Sequence, residues 1–194
     1  MPEKNNDFWW GILIGTLGTA IVYSLSKMER RISPIEEMRN IINNSQRDSS
    51  IRKAVATITQ NCTSEDSICE ISNIFSYVTD KIKYMRDPKR KDYFAHPLET
   101  LELKIGDCDC KSILLASLFE SIGHETRLAL IPGHVFVEVG IDTNDISKLP
   151  KKAFYIPENG RVWVPLESTA KGAYVGWMGK TNYDATVKGN VRYG

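Results

Sequence analysis

The sequence predicts an α+β domain with a central cysteine-bearing helix packed on an antiparallel sheet, and three observations lead there. Apolar residues recur at helical spacing from Met38 to Ile122. Beyond Gly123, β-branched and aromatic residues alternate at period two. The change of period falls once, so helices come first and strands afterwards around one apolar helix. A net charge of +1 over 194 residues gives no electrostatic reason to expect a nucleic-acid partner.

The first thirty residues have a character of their own. The run "FWWGILIGTLGTAIVYSL", Phe8 to Leu25, is uncharged and mostly apolar, and as a helix it rises roughly 27 Å, enough to span a bilayer. Trp9 and Trp10 at one end and Tyr23 near the other suit the two interfaces. Residues 8–25 therefore read as the membrane contact of an N-terminal transmembrane helix. Lys27, Arg30 and Arg31 follow it against a single Lys4 before it, which puts the bulk of the chain in the cytoplasm as a single-pass protein. Two other readings stay open: a cleaved signal peptide, which lacks an A-x-A-like site, and an apolar helix docked in a protein assembly. Gly11 and Gly15 form a GxxxG, compatible with a homo-oligomer.

The next segments read as helices. In "SPIEEM" Ser33 caps, Pro34 takes the first helical position and Glu36 completes a capping box, with Met38, Ile41 and Ile42 on the apolar side. Asp48 to Ser50 start a second helix through Ile51, Val55 and Ile58. A third begins near Ser64 or Asp66 and carries Ile68, Ile71, Ile74, Phe75, Val78 and Ile82. "RDPKRKDYFAHP" is a charged loop with no period. The helix "CDCKSILLASLFES" follows and ends at Gly123. "TRLALI", "HVFVEVGI" and "RVWVPLE" are the strands.

Cys108 and Cys110 are two residues apart, so on a helix they point about 200° apart and cannot serve one site together. Ser112, Leu115, Phe119 and Ile122 share the stripe of Cys108 and should face the sheet. Cys108 lies nearer the helix start, where unpaired N–H groups and the dipole stabilise a thiolate, and Gly106 lets a substrate backbone come close. Downstream, His134 opens a strand behind a Pro-Gly turn. Glu167 closes another, on the face of Trp163 and Pro165. A cysteine at a helix N-terminus, a histidine and an acid are the parts of thiol catalysis. His96 and His124, both in loops, are alternative bases, and Glu138 is an alternative acid. The plain alternative is that Cys108 and Cys110 are small core residues. A zinc site from the four cysteines and His134 has no standard spacing, and a Cys108–Cys110 redox pair is opposed by the 200° separation.

"GDCDCKSILLASLFESIG", "HVFVEV" and "WVPLEST", with "VTDKIKYMRDP" and "HPLETLELKIGDC" upstream, resemble the transglutaminase-like superfamily of papain-fold thiol enzymes, in particular its archaeal, bacterial and phage members. The resemblance runs from about Ile51 to Thr169; with the apolar run before it, the chain divides into an anchor (1–31), a linker with a helix (32–50) and a transglutaminase-like domain (51–194). It implies a papain-like core, with Cys108 as nucleophile, His134 as base and Glu167 as acid. Two positions depart from the pattern: Glu167 stands where Asp is usual, and Cys110 stands where a second Asp is common.

The expected activity is that of a membrane-anchored cysteine-dependent acyl-transfer enzyme on protein or peptide amides, as peptidase, amidase or crosslinking transglutaminase. No metal or organic cofactor is required. The oxyanion would be held by the Cys108 backbone N–H and one more donor, with Tyr84 and Tyr93 as candidates. A different class of function is a non-catalytic structural or binding protein of a phage particle or envelope complex that keeps the papain-like shell, with virion assembly as its context. Cys62 and Cys69 are expected as free thiols, small packing residues at helix ends in a reducing compartment.

Overall fold

The helix that carries both cysteines is buried along nearly its whole length. In the computed structural model, which describes residues 33–87, 93–179 and 187–191, every residue from Cys110 to Glu120 on this helix is shielded from solvent. The chain divides after Glu36, and the fold below is that of Glu37–Gly194. Among the described residues no helix is long and apolar enough to cross a membrane. The expected span at residues 8–25 lies outside them.

Three helices come first: α1 (Pro34–Ser45), α2 (Ser49–Ile58) and α3 (Ser67–Lys81). Their starts follow the capping chemistry. Ser33 Oγ accepts the Glu36 N–H at 3.3 Å, Asp48 accepts from Ser50 at 2.7 Å and Asp66 from Cys69 at 3.2 Å. Met38, Ile42, Ile51, Val55, Ile68, Ile71, Ile74, Phe75 and Val78 supply their buried faces. A short strand β1 (Lys83–Tyr84), helix α4 (Pro97–Leu103) and strand β2 (Ile105–Gly106) lead into α5 (Cys108–Ser121). β1 and β2 pair in parallel, with Tyr84 opposite Gly106. The buried Ser45 and Ser117 hydroxyls meet at 2.9 Å and tie α1 to α5.

The helix α5 ends as expected: Gly123 has φ +99°, a conformation open to glycine, and His124 N–H closes onto the Phe119 carbonyl at 3.1 Å. The stripe of Cys108 faces the sheet as expected at Ser112, whose hydroxyl donates to the Val135 carbonyl of β4 at 3.3 Å, but α5 is not buried along that stripe alone. It is enclosed on all sides by the other helices and the sheet, and Ile122, placed in that stripe, is the 37% exposed C-cap.

The strands β3 (Thr126–Ile131), β4 (His134–Ile141), β5 (Ile156–Glu158), β6 (Arg161–Leu166) and β7 (Val187–Asn190) form one antiparallel sheet in the order β5-β6-β4-β3-β7. Helices and antiparallel sheet together fit the papain-like fold that the resemblance implies. Both faces of its central strands are buried: Val135, Val137 and Val139 on one, Phe136 and Glu138 on the other. On that second face Arg127 lies opposite Glu138 and pairs with it, reaches Glu158 at 2.5 Å, and stacks its guanidinium over Trp163 at 4.3 Å.

Cys62 and Cys69 form a disulfide, which overturns the expectation of two free thiols. The chain between α2 and α3 turns back on itself, with Cys62 N–H bonded to Thr59 O and Asp66 N–H to Thr63 O. This brings the two Cα atoms to 5.7 Å, within bridging range. The pairing also removes two of the four cysteines from any thiolate zinc site.

Candidate active site

The nucleophile position is built by a cap. Asp107, 7% exposed, accepts the Cys110 N–H at 3.1 Å, so α5 begins at Cys108. Cys108 is a free, half-buried cysteine on the first helical residue. Its thiol lies 3.6 Å from Asp109 Oδ1. The first N–H groups of a helix have no partner within it, and the dipole there favours negative charge.

His134 is the first residue of β4, after the Pro132–Gly133 turn in which Gly133 has φ +73°. It stacks on Phe136 with ring centres 6.2 Å apart. β6 runs antiparallel beside β4 with Leu166 opposite Val137, so the end of β6 reaches the start of β4. There Glu167 Oε2 lies 2.5 Å from His134 Nε2. The other carboxylate oxygen accepts from Thr169 twice, from N–H at 3.0 Å and from Oγ1 at 2.5 Å.

The electrostatics follow from these contacts. The nearby Cys108 thiol, then the Glu167 carboxylate, favour the charged imidazole and push His134 up to about 10 against the effect of its burial. Burial opposes the charge of Glu167, but the bonds from His134 and Thr169 outweigh it and hold the carboxyl below its ordinary value. The fold thus joins His134 to Glu167 by a hydrogen bond and places Cys108 near enough to act on the same imidazole.

The alternatives lie elsewhere. Cys110 is buried, its thiol donates to the Tyr93 carbonyl at 3.3 Å, and burial pushes it up to about 12. It also explains Gly106: a Cβ there would stand 2.8 Å from Cys110 Cβ and 3.4 Å from Thr100 Cγ2. The glycine serves close packing of α5 on α4 and β2. His96 caps α4 by accepting from Leu98 N–H at 3.3 Å. His124 bonds Glu70 at 2.8 Å and packs edge-on against Phe119. Glu138 is committed to Arg127. Of the two tyrosines, Tyr93 bonds Glu99 at 2.8 Å on the Cys110 side, whereas Tyr84 pairs with Gly106, two residues before Cys108.

Sequence reasoning missed two neighbours of the site. Thr169 follows the acid by two residues, and an "E-S-T" turn in which the threonine bonds back to the carboxylate was the available signal. Lys111 is 1% exposed and its ammonium donates to the Ile82 carbonyl at 2.8 Å. A lysine in a helix ordinarily reads as solvated, so no signal marked it.

Among curated proteins no match was found. The family model of the transglutaminase-like superfamily matches residues 52–168, a stretch that contains α5, the start of β4 and the end of β6, and with them Cys108, His134 and Glu167. That stretch is more than half of the sequence, and the chain belongs to the transglutaminase-like superfamily.

Proposed function

We propose that this chain is a membrane-anchored thiol acyl-transfer enzyme that acts on protein or peptide amides. The observation that carries the reading is the imidazole of His134, fastened to Glu167 through Nε2 at 2.5 Å and raised by the nearby Cys108 thiol and by Glu167. Cys108 Sγ attacks the carbonyl carbon, and the oxyanion is held by the Cys108 N–H and by Tyr84. His134 gives its proton to the leaving amine as the C–N bond breaks, leaving a thioester on Cys108. A water or an amine, deprotonated by His134, then attacks the thioester and returns the thiol. Glu167 keeps the ring oriented and stabilises its cation in both steps.

The membrane anchor is read from residues 8–25 alone. The Cys62–Cys69 bond supports placing the domain on the oxidising side of that membrane, against the three-charge bias that favours the cytoplasm. The test is a thiol-directed activity probe on the full chain, followed by mass spectrometry of proteins incubated with it. Labelling confined to Cys108 and faster than a free thiol, with cleaved or isopeptide-linked products, is the expected result. Labelling at the rate of free cysteine with no products would instead favour a scaffold protein that keeps the papain-like shell.

A further inference from the structure

Lys111 lies three residues after Cys108 and is 1% exposed. An ammonium has three N–H donors, yet among the described residues its one hydrogen bond is to the Ile82 carbonyl at 2.8 Å. Long helical side chains lean toward the helix N-terminus, so Lys111 reaches back toward the end that holds Cys108. Burial lowers it to about 8, and the nearby carboxylates of Glu167 and Asp80 pull the other way without restoring it. The charge of Glu167 is already engaged by His134 and Thr169.

Beside Lys111 is a cavity of about 290 Å³. Lys83 and Tyr84 of β1, Thr169, Lys171 and Asp80 line it with Lys111. Three lysines face one aspartate there. Thr169 is also the residue that fastens Glu167, so the cavity shares a wall with the Cys108–His134–Glu167 line. Tyr84 is 47% exposed, and its ring can cover the aliphatic part of a ligand whose charged end lies deeper.

We propose that this cavity is a substrate subsite for a carboxylate, which Lys111 binds while the scissile carbonyl lies at Cys108. The substrate class is then a peptide or protein chain with a free carboxylate, C-terminal or on an acidic side chain, close to the amide that reacts. This rests on the reading of Cys108 as the nucleophile. A purely structural Lys111 would only tie α5 to the residue after α3 through Ile82, and would not distinguish ligands by charge.

The test uses bromoacetyl dipeptides on the full chain: one ending in a free carboxylate, one in a primary amide, and one amide with an aspartate side chain. Alkylation of Cys108 is followed by mass spectrometry. At least one carboxylate probe is expected to react about tenfold faster than the neutral amide, the scale of one charge-assisted hydrogen bond. Which one is faster tells a chain end from an acidic side chain. The ratio should fall to about one in Lys111→Met and partly in the surface variant Lys171→Met, which serves if Lys111→Met does not fold. Equal rates for all three probes, with Cys108 still faster than free cysteine, overturn the subsite and leave the nucleophile standing. Should Cys108 react no faster than free cysteine, the acyl-transfer reading fails. Calorimetry of the N-acetyl dipeptides on Cys108→Ala protein then decides the subsite, acid over amide supporting it and equal binding overturning it.

Discussion

Glu167 reaches His134 with one carboxylate oxygen, at 2.5 Å, and holds Thr169 with the other. The two hydrogen bonds from Thr169 hold the carboxylate of a glutamate, one methylene longer than an aspartate. The extra methylene adds a torsion that would let the carboxylate swing, and Thr169 removes that freedom from the far side. Glu167→Gln should slow alkylation of Cys108 at neutral pH by about tenfold to a hundredfold, less than His134→Ala, because an amide still orients the ring but no longer stabilises its cation. Thr169→Val should cost less than either. Alkylation rates of the four proteins check the order.

Glu138 shares the face of His134 on β4, yet its partner is Arg127. Its substitution is therefore a stability change. Glu138→Gln should destabilise the fold by about 3 kcal/mol, because it removes the carboxylate charge paired with the buried Arg127 cation. The rate per folded molecule should stay close to wild type. Urea denaturation beside the alkylation rate separates the two effects. A large loss of rate in folded Glu138→Gln would move the role of acid away from Glu167.

Cys108→Ala should abolish acyl transfer, while Cys110→Ala should retain measurable turnover at a cost of about 1 kcal/mol in stability. Cys110 sits against Gly106 and donates to Tyr93, so its loss loosens packing beneath the site without removing a reacting atom. Comparable loss of turnover from both substitutions, in proteins that melt normally, would count against this division of roles.

The His134–Glu167 pair makes stability depend on pH with two signs. His134 is raised from 6.5 to about 10, so its contribution is fully present below 6.5 and is lost as pH rises through about 10. Glu167 is lowered from 4.5, so its contribution is present above 4.5 and is lost as pH falls through its depressed value. The stability difference between wild type and His134→Asn should therefore be greatest between about pH 4.5 and 6.5 and shrink on both sides. Denaturation midpoints across that range measure it. A difference that grew toward pH 10 would contradict the raised His134.

Much of this fold was legible because its elements obey a period. The apolar spacing of Ile71, Ile74, Phe75 and Val78 gave α3, and the alternation of "HVFVEVGI" gave β4 with His134 at its start. Strands of two residues have no period to read, so β1 and β2 were invisible, although their pairing is what delivers the chain to Cys108. The edge strands β5 and β7 carry weak patterns because the sheet defines them rather than their own residues. Within the candidate site, residue types and order pointed to Cys108, His134 and Glu167 as the candidate nucleophile, base and acid. The burial of Lys111 and the packing of Cys110 on Gly106 depend on tertiary neighbours, and nothing local encodes those.

The Cys62–Cys69 bridge closes a loop of seven residues' separation between α2 and α3. By loop entropy alone it should stabilise the domain by about 2.5 kcal/mol, so reductant, or Cys62→Ser, should lower the urea midpoint by a corresponding amount. The His124–Glu70 contact lies one residue beyond Cys69 on the same first turn of α3, and hydrogen exchange in that turn should rise when the bridge is opened. A bridge of this kind persists where glutathione does not reduce it. Protein from its native host should therefore resist alkylation at Cys62 and Cys69, and protease added outside intact cells or to the opened envelope should digest the domain. Alkylatable thiols at both positions together with protection from external protease would return the domain to the cytoplasm, and its substrates with it.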